Sequence, residues 1–126
     1  NKRNLFTFPP RSRGLAIEGR GNAVTELRYI GWLAGAPIAY WGDLDAKGFH
    51  ILSSLRAILP QTRSILMDAQ TLDDCRDLTA TKTHLRPEMP ALLMPAEQQA
   101  FRRCCDERLW LEQERIPQDY IVRRLG

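Results

Sequence analysis

The sequence predicts an α/β fold, a mostly parallel sheet flanked by helices, and three observations predict it. Short apolar runs at 14–19, 37–42 and 63–68 read as buried strands. Segments with helical spacing separate them, and strand, helix, strand, helix, strand at these intervals implies parallel pairing. The middle run, "PIAYWG", leads into two aspartates, Asp43 and Asp45, at the place where open α/β sheets bind ligands.

The elements follow in order. "NKRNLFTFPPRSRG" reads as the end of one element followed by a loop with Pro9 and Pro10. "GLAIEG" at 14–19 is a short strand stopped by glycine. From 22 to 35, Val24, Leu27, Tyr29, Ile30 and Leu33 keep helical spacing, with Asn22 able to cap and Gly35 able to terminate. After the middle strand, Phe49, Leu52, Leu55, Ile58 and Leu59 share one helix face, which Pro60 ends. "RSILMD" is the third strand, ending in Asp68. Residues 69–91 are polar and carry no clear pattern. "PAEQQAFRRCCDERLWLEQER" reads as one helix with Pro95 near its start, and Pro117 opens a short helix through about Arg124.

The 126 residues make one domain, 1–126, with 44% hydrophobic and 26% charged content, an ordinary globular composition. No apolar run approaches the roughly 18 residues of a membrane span. The three cysteines, Cys75, Cys104 and Cys105, form no C-x-x-C pair, which argues against a zinc site and a disulfide framework and favours the cytoplasm. The chain starts with Asn1 and not Met, so it reads as a fragment truncated at its N-terminus.

The net charge is +3, carried by 15 Arg against 3 Lys. Arginine suits phosphate through its planar fork, although an Arg-rich codon usage would give the same total. The local excess at Lys2, Arg3, Arg11, Arg13 and Arg20 is the sharper hint of a polyanion partner.

Two carboxylates as close as Asp43 and Asp45 need a positive partner. Mg²⁺ is the natural one, because it takes oxygen ligands and is often held by one or two carboxylates plus a substrate phosphate; Mn²⁺ could replace it. Such metals serve phosphodiester chemistry. The plainer reading is a pair of aspartates complementing a helix dipole. An EF-hand fails, because Lys47 takes a ligand position and Ser54 stands where the closing glutamate belongs. A dinucleotide fingerprint is an alternative: Gly19 and Gly21 follow a strand and Asp43 stands about 20 residues on, but Val24 replaces the third small residue and Asp45 goes unexplained.

With these segments in view, "D-x-D-x-x-G" after an apolar strand resembles the Toprim fold of type IA and type II topoisomerases, DnaG-type primases and several nucleases. "YWGDLDAKGFHILSSLR", "ILMDAQTL" and "LWLEQERIP" resemble one branch most, the C-terminal domain of the Wadjet anti-plasmid subunit JetD, which is similar to the topoisomerase VI A subunit. The resemblance runs from Asn1 to about Pro117. It implies a Mg²⁺-dependent endonuclease for double-stranded plasmid DNA, working beside an SMC-like condensin complex and able to form a homodimer. It matches Asp43 and Asp45 to the metal-binding pair. It also implies a glutamate at the end of a first strand; Asn1 matches the residue after it, so that strand and glutamate are expected to precede this chain. Glu18 is the alternative.

Around this pair the sequence offers further candidates. Asp68, at the end of the third strand, could be a third ligand or simply a helix cap. Glu112 and Glu114 match the branch's acidic segment; they share a face if extended and diverge if helical, and an ordinary exposed helix is the plainer reading. Lys47 could contact DNA or screen the aspartates, and Arg3, Arg11, Arg13 and Arg20 suit sequence-independent backbone contacts. His50, Tyr40 and Trp41 read as packing residues, and Tyr29, Tyr40 and Tyr120 show no sign of a covalent nucleophile. Three functions stay open: a metal-dependent DNA endonuclease, a non-catalytic Toprim-like DNA-binding module, and a nucleotide-binding Rossmann-type enzyme.

Overall fold

The computed structural model describes residues 15–18, 37–84 and 87–125, with the side chains of 15–18 outside that description. The helix expected over 22–35, Gly19 and Gly21, Tyr29, and the basic residues Arg3, Arg11, Arg13 and Arg20 lie outside the described residues.

Strands β1 (Leu15–Glu18), β2 (Ile38–Trp41) and β3 (Arg63–Ser64) form the parallel sheet, with β2 in the middle. Leu15 pairs with Ile38 and Glu18 with Trp41, while Ala39 and Tyr40 pair with Arg63 and Ser64. The fold is thus α/β with parallel crossovers, as the run spacing predicts. Helix α1 (Ala46–Ile58) makes the crossover from β2 to β3. Its Phe49, Leu52 and Leu55 are fully buried, which is the face the 3.6-residue spacing predicts. The last helical hydrogen bond runs from Leu59 N–H to the Leu55 carbonyl (2.7 Å), and Pro60, with no N–H, cannot extend it.

The third strand is shorter than expected. Ladder pairing stops at Ser64, although Ile65 N–H still donates to the Tyr40 carbonyl at 2.9 Å. Leu66 then takes a left-handed φ of 58°, which turns the chain out of the sheet. Burial of Leu66 and Met67 in the core holds this turn. It delivers Asp68 as the N-cap of α2 (Ala69–Asp74), where Asp68 Oδ1 accepts from Thr71 N–H (2.9 Å) and Oγ1 (2.7 Å). The other oxygen takes an ion pair with Arg124 Nη2 at 2.7 Å. Burial alone would raise this carboxyl, but the Arg124 and Thr71 bonds outweigh it and hold it below the usual range. Asp68→Ala should therefore cost about 1–2 kcal/mol of stability through the lost cap. Urea denaturation measures that cost, and divalent-metal binding should stay unchanged.

Helix α3 (Pro95–Glu107) packs Ala100, Phe101 and Cys104 into the same core, with Phe101 edge-on to Phe49 at 6.0 Å. The single helix expected to run through Arg115 ends at Glu107, because Arg108 adopts φ 56° as a left-handed cap. Strand β5 (Leu109–Trp110) follows and pairs antiparallel with β4 (Ala80–Thr81). Leu111 then exchanges both backbone hydrogen bonds with Leu44 (2.9 and 3.2 Å). A 3-10 turn over Gln113–Arg115 leads to α4 (Gln118–Leu125), close to the expected final helix.

A buried ion pair ties α1 to α3. Arg56 Nη1 and Nη2 grip both oxygens of Glu97 at 2.5 and 2.9 Å, and Ser64 Oγ donates to the same carboxylate. The remaining Arg56 donors reach the carbonyls of Thr62 (3.1 Å) and Leu92 (2.9 Å). Cys75, Cys104 and Cys105 are free thiols, and burial raises all three above the usual thiol range. Cys75 and Cys104 belong to the core, and Cys105 packs against it. Among the described residues no helix is long and apolar enough to cross a membrane.

Candidate metal centre

The Leu44–Leu111 bridge builds the site. It lays the segment after β5 across the turn between β2 and α1, bringing residues 70 positions apart into contact. Asp43 Oδ1 accepts from Gln113 N–H at 2.9 Å. Asp45, only 3% exposed, uses both oxygens: Oδ1 accepts from Gly48 N–H (2.7 Å) and caps α1, and Oδ2 pairs with Lys82 Nζ (2.9 Å). Lys82 in turn lies over the Trp110 ring, 4.6 Å from its centroid. His84, two residues on, takes the Ala46 N–H at Nδ1 (3.3 Å), so Nε2 carries the proton and donates to the Leu109 carbonyl (3.0 Å).

A cavity of about 120 Å³ opens between these elements, lined among others by Tyr40, Gly42, Asp43, Asp45, Lys47 and Glu114. That volume holds several waters. Burial pushes the Asp43 carboxyl above the usual carboxylate range, and the charges of Asp45 and Glu114 push the same way against the Gln113 hydrogen bond. Lys82 offsets the charge of Asp45, but Asp43 keeps like-charged neighbours in Asp45 and Glu114, which a cation would relieve.

Two glycines at the pocket sit where no side chain fits. A Cβ on Gly42 would overlap the Tyr40 hydroxyl, and one on Gly48 would run into the Asp43 carbonyl oxygen. Gly48→Ala must displace the start of α1 and should cost about 1–3 kcal/mol, the usual range for overpacking. A drop in thermal midpoint measures it, and a neutral outcome would mean that the turn has slack. Tyr40 Oη is fully buried and has no hydrogen-bond partner among the described residues. Burial first, then the charges of Asp43 and Asp45, raise this phenol, so it stays a protonated donor. A buried donor without an acceptor is costly unless a ligand supplies one.

The sequence candidates separate cleanly. Asp43, Asp45, Lys47 and Glu114 meet at the cavity, with Lys47 exposed at its rim. Asp68 does not line it and is engaged by Thr71 and Arg124. Glu112 caps the 3-10 turn instead of sitting in an exposed helix. Glu18 ends β1 in register with Trp41, at the same carboxyl end of the sheet. His50 is buried edge-on to Phe101, 5.8 Å away, as a packing residue. The sequence reading missed Lys82 and the Gln113 amide. One signal for Lys82 existed: lysine is scarce in this Arg-rich chain, and two of its three lysines stand at the site.

The residues fit a divalent cation in part. The donor set is all oxygen, suited to Mg²⁺ or Mn²⁺, and the Tyr40 hydroxyl and the cavity volume provide for an anionic or hydrated guest. No cluster of three His, Cys, Asp or Glu side chains able to hold a metal occurs among the described residues. Mg²⁺ needs fewer protein ligands than that when a phosphate and waters complete its shell.

Fold and site together define an α/β domain with a carboxylate pocket at the carboxyl end of its central parallel strand. The family model of the Wadjet protein JetD C-terminal domain matches residues 1–125, and the chain belongs to that family. Membership makes it a component of a Wadjet anti-plasmid system. No curated protein matches the chain.

Proposed function

We propose that residues 1–126 form a Toprim-like catalytic domain of a Mg²⁺-dependent DNA endonuclease. The observation that carries this reading is the Asp43–Asp45 pair in a buried pocket at the end of β2, with Asp43 raised by burial and by neighbouring negative charge. The reaction is phosphodiester hydrolysis: water attacks phosphorus, the bond to the leaving oxygen breaks, and a proton passes to that oxygen. A divalent cation held by Asp43 and Asp45 supplies activation of water and neutralisation of phosphate charge. Asp45 is fixed by its capping bond to Gly48, and Asp43 by Gln113, so both carboxylates are preorganised. The Tyr40 hydroxyl donates to an anionic oxygen in the pocket. Lys47 at the rim, with Arg3, Arg11, Arg13 and Arg20, contacts the DNA backbone. Within this chain the candidate for the third carboxylate of the Toprim pattern is Glu18, at the end of β1. Double-stranded plasmid DNA is the substrate, and an SMC-like condensin complex in the cytoplasm is the partner; a homodimer fits the same scheme.

The test is plasmid cleavage by the full-length protein with its complex, with Mg²⁺ and with chelator. Cleavage should need the metal and fail in both Asp43→Ala and Asp45→Ala. Undiminished metal-dependent cutting by both variants sinks the assignment. A second reading, a DNA-binding module without catalysis, draws on one observation: Lys82 already neutralises Asp45. It predicts salt-sensitive DNA binding that needs no metal and survives loss of both aspartates.

A further inference from the structure

Lys82 already supplies a positive charge to Asp45. Its ammonium is 2.9 Å from Asp45 Oδ2, the one oxygen of that carboxylate not committed to capping α1. The two partners differ in freedom. The Asp45 side chain is 4% exposed and anchored through Gly48, so it cannot follow a departing cation. Lys82 is 35% exposed, sits just past the short β4 strand, and carries its charge on a flexible four-carbon stem. The Trp110 face beside it offers a second resting place for the ammonium. The ion pair is therefore one that opens from the lysine side.

We propose that Lys82 is a displaceable counter-ion of this pocket: it neutralises Asp45 in the metal-free protein and must leave before a divalent cation can use that carboxylate. This rests on the metal reading above and adds to it a determinant of affinity. A lysine ammonium and a dication cannot share Asp45 Oδ2, because like charges a few Å apart in a buried pocket repel strongly. Lys82 is thus a positioning residue that sets how tightly the pocket holds metal. Once released, its ammonium is free to meet an anionic group. DNA and metal binding should then favour each other, each drawing on the same displaced lysine.

The experiment is Mn²⁺ titration of the full-length protein by calorimetry, with the thermal midpoint followed in parallel. Lys82→Met removes the competing charge, and Lys82→Gln removes it while keeping a donor for Asp45. In both, Mn²⁺ should bind at least about tenfold more tightly than in the wild type. The metal-free midpoint of Lys82→Met should fall and then recover with Mn²⁺, because an unpaired buried carboxylate is relieved by the ion. Lys82→Arg keeps the charge and should bind no more tightly than the wild type. If Lys82→Met does not fold, Lys82→Gln decides alone. Equal Mn²⁺ affinity in the wild type and the neutral variants overturns the role of Lys82 and leaves the metal reading standing. Absence of Mn²⁺ binding in every protein overturns both.

Discussion

Asp43→Asn is expected to lower the plasmid-cleavage rate by about 10²–10⁴-fold while making the metal-free protein more stable. The first half follows from the proposed role. Losing a metal ligand removes several kcal/mol of transition-state charge stabilisation, and each 1.36 kcal/mol is about tenfold in rate. The second half follows from the structure. Asparagine is nearly isosteric and still accepts from Gln113 N–H, so the turn keeps its hydrogen bond. It also removes a carboxylate that burial, Asp45 and Glu114 all disfavour. The pH sign is fixed by the direction of the shift. A raised carboxyl stabilises the fold below its unfolded pKa, and that contribution is lost as pH rises through the folded value. The advantage of Asp43→Asn should therefore be full near neutrality and shrink in acid. Thermal melts of both proteins from neutral to acidic pH measure it. A variant less stable than the wild type at neutral pH would contradict the picture of a strained, charge-rich pocket.

The second large effect lies away from the pocket. Glu97→Gln should destabilise the protein by about 3–5 kcal/mol, because it leaves the buried Arg56 guanidinium without a counter-charge. The thermal midpoint should fall by roughly 10 °C or more. Replacing both partners with apolar residues, Arg56→Met with Glu97→Leu, should recover much of the loss. Burial alone would raise the Glu97 carboxyl, but the bonds from Arg56, Ser64 and Met94 N–H hold it below the usual range. A depressed carboxyl stabilises above its unfolded pKa, and the gain is lost as pH falls through the folded value. The gap between wild type and variant should therefore close in strong acid. Urea unfolding across pH measures both, and a cost under about 1 kcal/mol at neutral pH would show that the pair is not effectively buried.

What the sequence revealed and what it hid have one physical cause. Helix α1 was legible because its signals are local: an apolar stripe and a closing proline. The parallel sheet was legible from run spacing for the same reason. The short β3 and the early end of α3 were not, because both depend on a non-glycine residue in the left-handed region, Leu66 and Arg108. Nothing in the side chains of leucine or arginine announces that conformation; packing around them imposes it. The aspartate pair was legible, but half of its surroundings was not. Lys82 and the Gln113 amide arrive from 37 and 70 positions away, through the β4–β5 pairing and the Leu44–Leu111 bridge. Short strands of two residues leave no periodic pattern to read. Of the acidic segment, Glu114 lines the pocket and Glu112 does not, because Gln113–Arg115 form a tight 3-10 turn and neither a strand nor an exposed α-helix.

The central claim is that Asp43 and Asp45 make a divalent-cation site. Electron paramagnetic resonance of Mn²⁺ titrated into the full-length protein tests it most directly, since bound Mn²⁺ loses the sharp signal of the free ion. The double variant Asp43→Asn, Asp45→Asn is the control, because both asparagines can still accept the bonds from Gln113 and Gly48 that shape the turn. Saturable Mn²⁺ binding by the wild type, lost in the folded double variant, is the expected result. Equal binding by both proteins would contradict it.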